Sequence, residues 1–212
     1  MCGNRINLLE LFAGSRSVGR VGEKLGMNVF SVDRAVDYEN IDLLKDIGKL
    51  KIKDIPFIPD ILWASPDCAT YTISAISIHR NGIEPKTPYA KKSDAVNTHL
   101  VKLIKRWLKI NPNMVFFIEN PRGMLRKMPF MQEFTRHTVW YCQYGDERAK
   151  PTDIWTNSKT WIPRPPCFNG NKDCHHQPAP RGSKMGTQRR KPYYERSKIP
   201  EQLCEEILQS CL

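Results

Sequence analysis

Apolar residues in this chain come in short runs closed by polar turns, and the runs alternate with stretches of helical period. Ile6 to Leu11 has the length of a strand and ends in the tight Phe12-Ala13-Gly14 turn. From about Ser17 to Leu25, Val18, Val21 and Leu25 recur at helical spacing, and the pattern stops at Gly26. Asn28 to Val32 is a second strand, closed by Asp33, and Asp60 to Ala64 a third, running into Ser65-Pro66-Asp67-Cys68. Ile73 to Tyr89 has no clear period and holds Asn81-Gly82, Pro85 and Pro88, which reads as a mobile basic loop. Ser93 or Asp94 caps a helix to Ile110, with Val96, Leu100, Leu103, Ile104, Trp107 and Leu108 on one side. Met114 to Glu119 forms a fourth strand and Met124 to Phe134 a short helix. Thr138 to Tyr141 and Asp153 to Thr156 complete the strands.

From Ile162 to about Pro192 the composition shifts to Pro, Gly, Lys, Arg and His, with little to bury. Ile199 to Leu212 is helical again: Pro200 suits a first turn, and Leu203, Ile207 and Leu208 give an apolar face. A helix of that kind docks back on the sheet, so the polar stretch is an insertion and not a tail. Strands alternating with helices predict an α/β domain with a central, mostly parallel sheet. Residues 1–160 form its body, helix 198–212 completes it, and residues 161–197 make a small, irregular, basic insertion.

Charge narrows the partners. The 212 residues carry a formal net charge of +11, and basic residues gather from His79 to Lys92 and from Arg181 to Lys198. Nucleic-acid phosphate is the default partner for such a surface. Neither run has the apolar face of an interfacial helix, and no apolar run reaches the length of a membrane span, so no membrane association is expected. The N-terminus lacks a signal-peptide core. Seven cysteines, mostly in apolar patterns, point to reduced thiols in a cytosol.

Two strand ends carry candidate chemistry. The strand–glycine turn–helix–strand–acid order from Ile6 to Asp33 outlines a nucleotide-binding unit. Its turn and helix N-terminus offer N–H groups, and Asp33 accepts from ribose hydroxyls. Cys68 follows the third strand and Glu119 ends the fourth. In an open α/β sheet both lie at the carboxyl edge, where ligands bind. A thiol and a carboxyl facing one substrate suit covalent attack by sulfur, with the carboxyl protonating the ring under attack. Taken singly, Cys68 reads equally well as a small buried hydrophobe, and Glu119-Asn120-Pro121 as an ordinary strand end.

Together these residues resemble the DNA cytosine-5 methyltransferases, especially their short, phage-encoded members. Leu11-Phe-Ala-Gly14 matches the family's cofactor turn, Asp33 its ribose acid, and Asp46-Ile47 its pair near the adenine. Pro66-Asp-Cys68 matches its nucleophile loop, Glu119-Asn120 its Glu-Asn, Tyr144-Gly145 its Tyr-Gly, and the segment from Ile199 to Ile207 its last motif. The resemblance implies a Rossmann-like fold that uses S-adenosyl-L-methionine, held by Phe12, Ala13, Gly14, Ser15, Asp33, Arg34, Asp46, Ile47, Pro66 and Ser197. It implies transfer of a methyl group to C5 of a cytosine flipped out of duplex DNA. Cys68 attacks C6, Glu119 hydrogen-bonds N3, and Lys150 keeps one cation of the family's Arg-x-Arg pair. DNA contacts are expected from Arg80, Lys86, Lys91, Lys92, Arg122, Arg148, Arg189, Arg190 and Lys191.

The departures define alternatives. Asp67 replaces the proline before the nucleophile, and a carboxylate there disfavours the thiolate. Ser15-Arg16 follows Gly14 where the family has glycine, crowding the cofactor's methionine end or contacting its carboxylate. Only about forty residues separate Trp155 from Ser197, a reduced target-recognition lobe unless a protein partner supplies recognition. In that lobe Cys167, Cys174, His175 and His176 are metal-ligand types without a strong zinc spacing. A catalytically weak DNA-binding protein of this fold and an RNA cytosine-5 methyltransferase are the competing readings. A dinucleotide oxidoreductase lacks its Gly-x-Gly-x-x-Gly.

Overall fold

Strands and helices alternate along the chain much as the apolar pattern predicts. The computed structural model describes residues 5–35, 39–178 and 193–212. Its strands are β1 (Asn7–Leu11), β2 (Asn28–Asp33), β3 (Leu43–Leu44), β4 (Ile61–Ala64), β5 (Arg80–Asn81), β6 (Glu84–Pro85), β7 (Val115–Pro121), β8 (Thr135–Trp140) and β9 (Pro151–Thr156). The helices are α1 (Ser17–Lys24), α2 (Ile76–His79), α3 (Pro88–Ile110), α4 (Tyr193–Ser197) and α5 (Glu201–Gln209). Seven strands form one sheet in the order β3-β2-β1-β4-β7-β9-β8, and β5 and β6 form a separate hairpin. Neighbours from β3 to β7 pair in parallel, while β9 runs antiparallel to both β7 and β8. This is the Rossmann-like α/β sheet expected from the sequence.

Side chains alternate across the sheet because a strand repeats every two residues. Leu9, Leu11, Leu62, Phe116 and Ile118 face α3, meeting Leu100, Ile104 and Trp107. Leu8, Trp63, Phe117 and Ile154 face the other way, against Val18 and Val21 of α1 and Leu203 and Ile207 of α5. The final helix therefore docks back on the sheet. Every residue of β4 is buried, as expected of a central parallel strand covered on both faces.

Between β1 and β4 the direction of strand succession reverses. Such a switch point opens a crevice at the carboxyl ends of the two strands. The turn after β1 and the Cys68 loop after β4 both border it.

Three sequence expectations change. Helix α3 begins at Pro88, with the Thr87 hydroxyl accepting from the Ala90 N–H at 3.2 Å, so Pro88 opens the helix instead of breaking it. The stretch before it is an ordered short helix and hairpin, not a mobile loop, with Gly82 at φ 58° in the hairpin turn. The helix expected over 124–134 is two 3₁₀ turns, Met124–Lys127 and Pro129–Met131, separated where Pro129 cannot donate.

Candidate active site

The turn after β1 is built from left-handed residues. Phe12 has φ 56°, Gly14 49° and Arg16 53°. A bulky residue such as Phe12 adopts this conformation only where its surroundings enforce it. Asp33 does part of that work, because Oδ2 accepts from Gly14 N at 2.9 Å and Oδ1 from Ala35 N at 2.9 Å. One carboxylate thus fixes the ends of β1 and β2 together. Asp46 caps the short turn after β3, accepting from Gly48 N at 2.9 Å and pairing with Lys92 at 3.1 Å. Burial works against its charge, but the Gly48 N–H and Lys92 outweigh it and hold the carboxyl below its usual range.

The Cys68 loop is held from the neighbouring strand. Asn120, buried in β7, donates its Nδ2 to the Pro66 carbonyl at 2.7 Å. The Cys68 carbonyl then accepts from Tyr71 N and Thr72 N at 2.9 and 3.0 Å, so the nucleophile candidate opens a turn. Asp67 is partly neutralised: the Tyr89 hydroxyl bonds one oxygen, the Ala69 N–H the other at 2.9 Å, and Arg34 stands 3.9 Å away. Arg34 and Tyr89 are the side chains that face its charge. Arg122 is exposed.

Burial pushes the Cys68 thiol up to about 11. Lys150 opposes this, while Glu119 and Asp67 add to it. Glu119 is 6% exposed and accepts from the Tyr141 hydroxyl at 2.8 Å. Lys150 directly precedes β9. Because β9 is antiparallel, Pro121 pairs with Thr152, so Lys150 reaches the same edge as Glu119. Burial lowers the Lys150 ammonium, and the charges of Glu119 and Cys68 hold it up. Its Nζ also lies over the Tyr141 ring, 4.6 Å from the centroid.

Most of these groups line one cavity of about 450 Å³, within the range of small-molecule sites, with Asn120 and Tyr141 supporting it from behind. Cys68, Glu119 and Lys150 border it, as do Phe12, Ala13, Gly14, Ser15, Asp33 and Arg34. Asp46, Ile47, Pro66 and Ser197 complete the expected cofactor set on its wall. Sequence reasoning missed two further groups. Glu10, 2% exposed, accepts from the N–H groups of Val18 and Gly19 at the start of α1 and from the Ser31 hydroxyl. Burial pushes its carboxyl up to about 7 against these bonds. A lone acid inside an apolar strand was the available signal. Tyr141 gave no signal, since the hydroxyl matters only through Glu119.

Several expectations need correction. Arg16 does not line the cavity; its guanidinium turns inward to the Ser31 hydroxyl at 3.0 Å and pairs with Glu23. Arg80 is 3% exposed and not on a DNA-facing surface. It grips Asp94 at 2.6 and 3.0 Å, bonds the Thr70 carbonyl, and stacks 4.3 Å over the Tyr71 ring. Arg148 is buried against Asp146 and donates to the Arg196 carbonyl at 3.2 Å, so it borders the cavity from inside an ion pair. Lys86, Lys91 and Lys92 are exposed, Lys92 within its pair with Asp46. Arg189, Arg190 and Lys191 lie outside the described residues.

Of the metal-ligand candidates, Cys167, Cys174 and His176 come together, and Cys142 joins them. His175 does not: it is exposed, and its Nε2 lies 3.1 Å from the Asp146 carbonyl.

No protein-family model and no curated protein matches the chain. Among solved structures it is similar to the Entamoeba histolytica methyltransferase EhMeth, with a TM-score of 0.55 and 16% identity over 78% of this chain and 58% of that one. It is also similar to the S. pombe Dnmt2 methyltransferase, with a TM-score of 0.50 and 14% identity over 72% of this chain and 49% of that one. At such identity the likeness establishes the fold. The chain spans between half and three-fifths of these structures' lengths.

Proposed function

We propose that the protein is an S-adenosylmethionine-dependent cytosine-5 methyltransferase acting on DNA. One observation carries the reading: Cys68, Glu119 and Lys150 border the same cavity as the Gly14 turn and Asp33, at the sheet's switch point. The fold it shares with two methyltransferase structures supports the same conclusion.

The residues present fit this cofactor better than a dinucleotide. A pyrophosphate needs the free N–H groups of a helix N-terminus. Here Glu10 takes those of Val18 and Gly19. A ligand without phosphate loses nothing by that arrangement. Gly14, Asp33, Asp46 and Ile47 would hold S-adenosylmethionine, and when bound it supplies an electrophilic methyl group.

The chain's own residues do the rest. Cytosine C5 is a poor nucleophile while the ring is aromatic. Addition of the Cys68 thiolate to C6 breaks the aromaticity and moves electron density to C5, the thiol proton having passed to solvent. Glu119, taking up a proton from solvent as cytosine enters, shares it with ring N3, where negative charge develops, and the Tyr141 hydroxyl fixes that carboxyl. Lys150 supplies a cation, felt by both sulfur and carboxyl, that favours the thiolate. Once C5 carries the methyl group, loss of its proton to solvent water, departure of Sγ from C6 as thiolate and return of the shared N3 proton to Glu119 restore the aromatic ring and regenerate the enzyme. The net charge of +11 supports a nucleic-acid substrate, and the free thiols of the described residues suit a reducing cytosol.

Incubation with methyl-labelled S-adenosylmethionine and either cytosine-rich duplex DNA or RNA tests the proposal. Label in DNA that disappears in Cys68→Ala is the expected result. Label in RNA alone reassigns the substrate. DNA binding with no transfer under any condition makes the chain a catalytically inert binder. Saturable binding of NAD overturns the cofactor assignment.

A further inference from the structure

We propose that Cys142, Cys167, Cys174 and His176 form a structural zinc site that staples the insertion to the body of the domain. The four ligand atoms all lie within 4.8 Å of one another. Tetrahedral zinc with thiolate and imidazole ligands at ~2.0–2.3 Å sets its donors ~3.3–3.8 Å apart, so a contraction of no more than about 1.5 Å closes the site. The pair formed by Cys167 Sγ and His176 Nδ1, at 3.7 Å, is already there.

The surroundings have the character of a metal shell. Cys142, Cys167 and His176 are each at most 4% exposed, although residues 162–177 contain no helix or strand. A loop this long without regular structure needs something to order it. Its large apolar groups do not, because Ile162 is 80% and Phe168 66% exposed. The buried ring of His176 points Nδ1 at the cluster, and its Nε2 has no hydrogen-bond partner among the described residues. The Asn171 amide donates to Cys167 Sγ at 3.6 Å, the kind of N–H to sulfur contact that a metal-bound thiolate accepts.

The partners come from both sides of the junction. Cys142 sits in the 3₁₀ turn Tyr141–Tyr144 that follows β8, while the other three belong to the insertion. The turn also carries Tyr141, the residue bonded to Glu119. Binding would take the three cysteines as thiolates, releasing their protons to solvent, and His176 as a neutral ring. Three coordinating sulfurs and one imidazole select zinc over magnesium or calcium, which prefer oxygen. This site is independent of the proposed methyl transfer and stands or falls without it.

Metal analysis of the full chain, expressed with zinc in the medium, should find about one zinc ion per molecule. Replacement by cobalt should give the intense visible bands of a tetrahedral, thiolate-rich centre, a readout needing no variant. Cys142→Ser and Cys174→Ser should lose the metal, and His175→Ala should keep it. Cys174→His, which leaves four donors, should retain cobalt with a weaker sulfur charge-transfer band. Zinc-free protein whose thiols are all reduced, metal content unchanged in Cys142→Ser and Cys174→Ser, or a disulfide joining two of these cysteines would each overturn the proposal.

Discussion

The thiol of Cys68 should be a sluggish nucleophile until substrate arrives, and alkylation kinetics can measure how sluggish. Its value of about 11 lies two units above the ordinary 9.0, with burial as the main cause. Two units mean about 100-fold less thiolate near pH 8. A more basic thiolate is intrinsically a better nucleophile, and a Brønsted slope of about 0.45 returns roughly 8-fold. The net expectation is alkylation roughly 10-fold slower than for an unperturbed thiol, before any steric factor. Iodoacetamide labelling from pH 7 to 11, with site-specific rates from peptide mass spectrometry, gives the profile. The logarithm of the rate should climb with unit slope past pH 10. Glu119→Gln and Asp67→Asn each remove a charge that raises the thiol and should speed labelling by about 3- to 10-fold, while Lys150→Met should slow it by a similar factor. A plateau at or below pH 8, or faster labelling in Lys150→Met, would refute the electrostatic reading of the site.

Other expectations follow from single contacts. Glu10 titrates near 7 in the folded chain and near 4.5 unfolded, so the native state binds the extra proton and stability falls as pH rises through that window. The loss reaches about 3 kcal/mol, and Glu10→Gln, which keeps an acceptor for α1, should flatten thermal stability between pH 5 and pH 8 on a melting curve. Tyr141→Phe removes the donor to buried Glu119; it should cost about 1–3 kcal/mol in denaturant titration and lower transfer, with cofactor affinity unchanged by calorimetry. Arg80→Ala should destabilise by about 3 kcal/mol because Asp94 loses its cation and keeps only the Tyr71 hydroxyl. Its DNA affinity at fixed salt should match wild type in fluorescence anisotropy, whereas Lys86→Ala should reduce the salt slope by about 1.

Much of this molecule was legible because its signals are local. A strand ending in glycine turn or carboxylate announces itself, and Phe12 to Gly14, Asp33, Cys68 and Glu119 all reach one cavity. What was not legible depends on contacts between distant segments. Arg80 looked like a surface cation because its neighbours are polar, yet Asp94 and the Tyr71 ring draw it inside. Pro88 looked like a break because proline ends a helix, but Thr87 before it is a capping residue. Cys142 stands among aromatic residues and lies 25 positions before Cys167, a spacing that suggests no metal site. His175 and His176 are indistinguishable as letters, and only the backbone direction sends one inward.

The reversed direction of β9 has a consequence for how well the site keeps its shape. A lysine delivered by a loop would wander with that loop, but Lys150 immediately precedes a strand hydrogen-bonded along both edges, and its own carbonyl accepts from Tyr141 N at 3.1 Å. Its ammonium is aimed by ladder spacing, so heat or denaturant that loosens surface segments leaves it where it was. The amides of Thr152 and Ile154, flanked on either side, belong with those that exchange last. Electrostatic tuning of the sulfur is therefore tied to global unfolding rather than to local breathing.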